Sequence, residues 1–236
     1  DVAAAVWADE NASATETTPT FSRATLSPKR LAAFVDVSNQ LLMQDSLGIE
    51  NRVRLQLANA AAIALQRAII NGTGIAPVPR GILNTVGINS VAMGTNGAAI
   101  DWAKLVALET VVAVENADLG SLAYLTNSKV MGALKTTSKD AGSGRYLYEE
   151  GLANGYAVGV TNSVPSNLTK GTGTGLSAAI FGNWNDAVIG QWGGLDIMAN
   201  PYTKAKDNLL ELVLNSYFDA ALLRPKSFAA IVDIVA

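Results

Sequence analysis

The chain has 236 residues, 49% of them apolar and 16% charged, with a formal net charge of −3; that size and balance describe an ordered protein of one large or two small domains. Cysteine and histidine are both absent, which excludes disulfide frameworks, thiolate metal sites, cysteine nucleophiles and the commonest general base. The weak negative charge argues against dedicated nucleic-acid recognition, and no apolar run of about 18 residues offers a membrane span.

Residues 1–27 are rich in Ala, Thr, Asn and Glu and poor in apolar side chains. Such a stretch cannot bury enough surface to fold alone, so it is expected to project as a hairpin or arm. Its aromatics, Trp7 and Phe21, suit either the base of that hairpin or docking on a neighbouring molecule. From Arg23 to Gln40 the chain gains apolar and β-branched residues, which reads as a strand or ribbon entering a short helical turn. Pro28 limits any strand before it.

The stretch Ser46 to Asn71 predicts one long helix of about 26 residues, a rod of roughly 39 Å. Ser46 is the expected N-cap, Glu50 complements the macrodipole in the first turn, and Asn71-Gly72 supplies the stop. Ile49, Val53, Leu57, Ala60, Ala64 and Ala68 recur at helical spacing, a narrow stripe of partly small residues that is expected to face the protein. The following NGTGIAPVPRGIL, residues 71–83, is dense turn chemistry and a domain boundary. It is no phosphate loop, because the helix precedes the glycines and no Gly-Lys-Ser/Thr follows.

Asp101 is expected to cap a helix reaching about Asn116, with Trp102, Leu105, Leu108 and Val112 on one face. Leu122 to Leu125 reads as a short buried strand, Asn127 or Ser128 as the cap of a helix to about Lys135, and Gly155 to Val164 as another strand. The GTGTG run at 171–175 reads as a flexible turn before a strand at Ala178 to Phe181, a linker and not a nucleotide cradle. Helices interleaved with short strands indicate an α/β layer. Beyond it, Gly193-Gly194 reads as a hairpin turn, Leu210 to Leu222 as a long strand of period two, and Phe228 to Val235 as a closing apolar strand.

Candidate chemistry is sparse. Glu149-Glu150 and Asp9-Glu10 are adjacent carboxylates whose side chains diverge in extended chain, so neither makes an acid/base dyad. Lys139-Asp140 reads as a solvated loop pair, and Lys29-Arg30 with Lys204 and Lys206 as partners in intersubunit salt bridges. No catalytic, cofactor-binding or metal-ligating residues are assigned.

The order of these features resembles the major capsid protein of tailed bacteriophages, of the Hong Kong ninety-seven type. The resemblance is carried by Trp7, Asp9-Glu10 and Phe21 in the arm, LSPKRLAAFVDVSNQLLMQDS (26–46), the long helix and residues 71–83. Further on it rests on LTNSKVMGALKTTSKDAGSGRYLY (125–148), GYAVGVTNSVP (155–165), IFGNW (180–184) and LRPKSFAAI (223–231). It implies an α+β capsid fold: an extended loop at 1–27, a peripheral domain of 28–83 and 182–219 with the spine helix and a β ribbon, and an α/β axial domain of 84–181 and 220–236. It also implies that the stripe of the long helix packs on the β layer around Leu210 to Phe218. It further implies hexamers and pentamers of this chain in an icosahedral virion shell around DNA bound without sequence specificity, with scaffold, maturation protease and portal as possible partners, assembled in the bacterial host cytoplasm. Trp7 and Phe21 would anchor the loop on an adjacent subunit, with Glu10, Glu16 and Arg23 as rim charges. The family's leading arm and scaffolding segment are not in this sequence, which reads as a processed or truncated subunit. Some relatives join subunits covalently through a lysine of the extended loop; here no lysine precedes Lys29, so no such cross-link is expected. A cellular encapsulating shell with protein cargo and, more remotely, a carboxylate-based hydrolase are the alternatives.

Overall fold

The computed structural model describes Trp7, Ser13, residues 23–44, 48–140, Gly142 and residues 144–236. In chain order the elements are β1 (Lys29–Ser38), α1 (Asn39–Met43), α2 (Ile49–Asn71), β2 (Asn89–Ser90), β3 (Ala98–Ala99), α3 (Trp102–Val114), β4 (Leu122–Thr126) and α4 (Ser128–Thr136). There follow β5 (Tyr148–Glu149), β6 (Leu152–Ala153), β7 (Tyr156–Val160), β8 (Leu168–Lys170), β9 (Gly173–Asn183), β10 (Ala187–Asn200), β11 (Leu209–Leu222) and β12 (Phe228–Val235).

Two sheets divide the molecule. One is a three-stranded antiparallel ribbon in the order β1-β11-β10, so the strand nearest the N-terminus pairs with one nearly 190 residues later, Lys29 opposite Phe218. The other runs β2-β12-β9-β4-β7-β6-β5, with β3 and β8 attached at β12 and β9. Both of its faces are covered. Ala179, Phe181, Ala229 and Ile231 point into a core with Leu105, Leu108, Val112 of α3 and Val130, Leu134 of α4. Their neighbours Ala178, Ile180, Phe228 and Ala230 point the other way, onto Ile70, Ile82 and Val164. Alternation of side chains across a strand therefore turns continuous apolar runs into two cores. Asp101 and Asn127 cap α3 and α4, their side chains accepting from Lys104 N at 2.7 Å and Val130 N at 2.9 Å, as the sequence leads one to expect.

The long helix α2 starts three residues later than the sequence suggests. Ser46 lies outside the described residues, and the N-cap is Gly48 at φ 69° with no side-chain cap. Leu57 and Ala61 are buried against Leu214, Leu31, Ala33 and Ile197, which seats the helix on one face of the ribbon. The expected stripe is turned slightly, because Ala60 is exposed and Ala61 takes its place. A step of about 100° per residue makes that one-position shift decisive. Ile70, at the other end of α2, belongs to the core of the second sheet, so one helix spans both sheets.

Residues 72–81 fold back tightly on the end of α2. Gly81 N donates to Gly72 O at 2.9 Å, and Asn84 Nδ2 reaches Asn71 O at 3.2 Å and Gly72 O at 3.0 Å, satisfying carbonyls that the helix terminus leaves open. A Cβ on Gly81 would lie 2.4 Å from Gly72 N and 2.6 Å from Asn71 N, so backbone contact requires glycine there.

One loop expectation is corrected and another is sharpened. Gly193-Gly194 is no hairpin turn: β10 runs through it, and the register slips from Trp192 opposite Tyr217 to Asp196 opposite Asn215. Gly193 takes φ 75° inside that bulge, and a bulge on the outer strand of a ribbon blunts its free edge. The turn read at 171–175 is the turn and outgoing strand of a hairpin, with β8 and β9 paired from Leu168↔Leu176 to Lys170↔Gly173.

Candidate interaction surface

Several charged residues of the described fold hold segments together. Asp219 accepts from Lys29 Nζ at 2.6 Å and from Ser27 N at 2.9 Å, which ties the stem of the arm to the ribbon. Burial alone would raise its carboxyl, but the hydrogen bonds from Lys29, Ser27 and Ala220 outweigh that and hold it below the usual range. Asp233, fully buried in β12, accepts from Lys170 Nζ at 2.6 Å and Met93 N at 3.0 Å, joining the β8-β9 hairpin and the 91–97 loop to the C-terminal strand. Glu109 accepts from Tyr156 Oη at 2.8 Å and from Asn154. That bond and burial push the Tyr156 phenol up, and burial does the same to Tyr124, whose hydroxyl donates to Leu105 O.

These contacts correct three sequence expectations. Lys29 pairs within the chain, and Lys204 lies 3.8 Å from Asp36 of the same chain. Lys139 is more than a solvated charge, since its ammonium sits 4.5 Å from the centre of the Trp102 ring. Among the described residues no group of three or more metal-ligating side chains converges. No described helix is long and apolar enough to cross a membrane.

Among the described residues, two bare surfaces lie along the ribbon. On the ribbon face away from α2, the paired register aligns Phe34, Val213 and Met198 in one row and Arg30, Tyr217 and Trp192 in another. Phe34 is 65% exposed and Met198 54%, an apolar row of the kind that marks contact sites. Acidic Asp36, Asp196 and Glu211 interrupt it. The second surface is a groove of about 440 Å³ between β1, the C-terminal half of α2 and the 72–79 loop. Leu31, Leu65, Ala68 and Phe218 form its apolar walls, and Lys29 and Arg67 line it without a carboxylate, whereas the Arg30 side chain turns to the opposite ribbon face and donates to Asn215 Oδ1 at 2.8 Å.

Of the residues that the sequence singles out for intersubunit contact, Trp7 is fully exposed and Arg23 is exposed. Glu10, Glu16 and Phe21 lie outside the described residues. The groove went unseen in sequence because its walls come from segments almost 190 residues apart, and each lining residue alone reads as part of an amphipathic helix or strand.

Residues 1–233 match the model of the phage capsid family. The chain belongs to that family. A curated relative, the major capsid protein of Halomonas phage phiHAP-1, is 29% identical over 223 residues, 94% of this chain. The chain spans about a third, 35%, of that relative's length. Its fold is that of a subunit from the capsid of a native GTA particle computed with C5 symmetry, at a TM-score of 0.78 and 23% identity, covering 100% of this chain and 82% of that one. It is also similar to the holo-SrpI encapsulin complex of Synechococcus elongatus PCC 7942, at a TM-score of 0.65 and 18% identity over 93% of this chain and 78% of that one. The α+β architecture with a long helix laid across a β ribbon is thus the capsid fold.

Proposed function

We propose that this chain is the shell-forming part of a phage major capsid protein, assembling with copies of itself into a closed icosahedral virion shell around DNA held by confinement. The observation that carries the reading is the family match across residues 1–233, together with a capsid subunit's fold over the whole chain. Heterologous contacts repeated about an axis close into five- and six-membered rings, and many weak contacts per shell multiply into a stable one. In this reading the ribbon with α2 is the peripheral domain (28–83 and 182–219) and the α3/α4 layer the axial domain (84–181 and 220–236). The arm, 1–27, reaches a neighbouring copy, with Trp7 and Phe21 as anchors and Glu10, Glu16 and Arg23 at the rim. Scaffold, protease and portal act upstream of the finished shell, in the host cytoplasm, and the role is structural and not enzymatic.

Electron microscopy of the expressed protein tests this directly: closed particles of regular size are expected, and a protein that stays dispersed under conditions that assemble capsids would overturn it. The encapsulin likeness supports a second reading, a cellular shell with protein cargo. Particles that carry a co-purifying enzyme and no nuclease-protected DNA would favour it.

A further inference from the structure

We infer that the exposed face of α2, together with the polar recess beside Arg67, binds the phosphate backbone of duplex DNA without regard to sequence. Arg67 is the leading contact, the side-chain amides of Asn71 and Asn162 complete its recess, and Arg52 is a second contact further along the helix. The inference rests on the shell reading above and adds to it a surface on which DNA held by confinement can lie.

Charge is unevenly spread along the chain. Residues 51–100 carry four arginines, Arg52, Arg54, Arg67 and Arg80, and not one Asp or Glu, although the whole chain has a net charge of −3. Residues 151–185 contain no Asp or Glu either, and they supply the 162–167 loop that lies beside the end of α2. Within the helix, Arg54 is taken up by Glu50 at 2.7 Å. Arg52 and Arg67 are exposed and have no ion-pair partner among the described residues. Helical geometry places these two about 60° apart around the axis and about 22 Å apart along it. Gln56, Asn59, Ile63 and Gln66, also exposed, lie between them on the same side.

The recess is built for an acceptor. It opens between Arg67, Asn71 and residues 162–167 with a volume of about 360 Å³, and none of its lining side chains is a carboxylate. The fold orients its amides. Asn162 Oδ1 accepts from Ser128 Oγ at 2.7 Å and from Ser128 N at 3.4 Å. Asn71 Oδ1 accepts at 3.1 Å from Asn84 Nδ2, which the backbone carbonyls of Asn71 and Gly72 also engage. Both amides therefore use their oxygen within the protein and leave an NH₂ donor for an outside group. A guanidinium flanked by two such donors, with no carboxylate in reach, is the chemistry that holds a phosphate oxygen.

The two faces of the ribbon differ in the same sense. α2 covers one, while the other presents Asp36, Asp196 and Glu211 beside Arg30. A closed shell turns one face to its interior, and carboxylates there would repel a polyanion. The α2 face is the one that suits packed DNA.

Fluorescence anisotropy of the full, unassembled chain with a labelled short duplex, over a salt series begun at low ionic strength, tests this, alongside microscopy of the shells that the same variants form. Binding independent of duplex sequence is expected, with log K falling linearly in log salt. Arg67→Gln and Arg52→Gln should each reduce the magnitude of that slope by about 0.9, while Arg54→Gln leaves it unchanged because Glu50 already holds that side chain. Asn162→Asp keeps the acceptor for Ser128 but removes a donor and puts a negative charge in the recess; it should weaken binding roughly tenfold or more with an unchanged thermal melt. Equal slopes for the wild type, Arg52→Gln and Arg67→Gln would overturn the inference, as would inorganic phosphate displacing the duplex at matched ionic strength, which would mark a small-anion site. Shells that form while the slopes stay equal would sink the surface and leave the shell reading standing. Reduced slopes without shells would support the surface and sink the shell reading.

Discussion

Asp219 shows how a single carboxylate in an odd strand position becomes structural. In sequence it falls on the polar face of a period-two strand, yet it is only 5% exposed because the arm stem folds over it and supplies Ser27 N and Lys29 Nζ. Its pKa is lowered in the folded state, so its contribution is present above the unfolded carboxyl value of about 3.9 and is lost as pH falls through the lower folded value. Asp219→Asn is therefore expected to cost about 1–3 kcal/mol at neutral pH and to flatten the loss of stability below about pH 4. Denaturant melts from pH 2 to 7 measure it; an unchanged acid limb would show that another group is responsible.

At the scale of elements, α2 and its return loop join the two sheets. Ala61→Leu should destabilise by about 1–3 kcal/mol, because the position is closed by Leu57, Leu214 and Leu31. Ala60→Leu, one residue away and exposed, should stay within about 0.5 kcal/mol. Equal effects in thermal melts would mean that the helix faces the ribbon differently. Gly81→Ala should be costlier than either, since its Cβ meets the backbone of residues 70–72 and no side chain can yield. Loss of amide protection spreading from Asn71 into the Ile70 and Ile82 core, followed by hydrogen exchange, is the expected signature.

For the whole molecule, the fold constrains how shells can be held together. Residues 1–28 contain no lysine, and Lys29 itself is bound to Asp219, so no cross-link through a lysine of this stretch is expected. Assembled particles boiled in detergent should run as single chains on a denaturing gel, and a ladder of covalent multimers would refute this. On the proposed shell reading, cohesion would rest on apolar anchors and charge pairs repeated over many copies, which predicts shells that loosen with rising salt to the extent that the rim charges matter.

Local signals in the sequence determined much of this protein: the caps at Asp101 and Asn127, the period-two strand ending at Leu222 and the closing strand from Phe228 each rest on neighbours within a few residues. The missing cysteine and histidine settled at the outset which chemistries are closed to it. What only the tertiary structure decided depends on distant partners. The turn of α2 that buries Ala61 and leaves Ala60 in water is set by β1 and β11, and the glycines at 193 and 194 continue a strand because β11 pairs with residues on both sides of them. Likewise Lys29 and Asp219 meet, and the basic groove exists, because the first strand pairs with one almost 190 residues away; no periodicity within either segment carries that information.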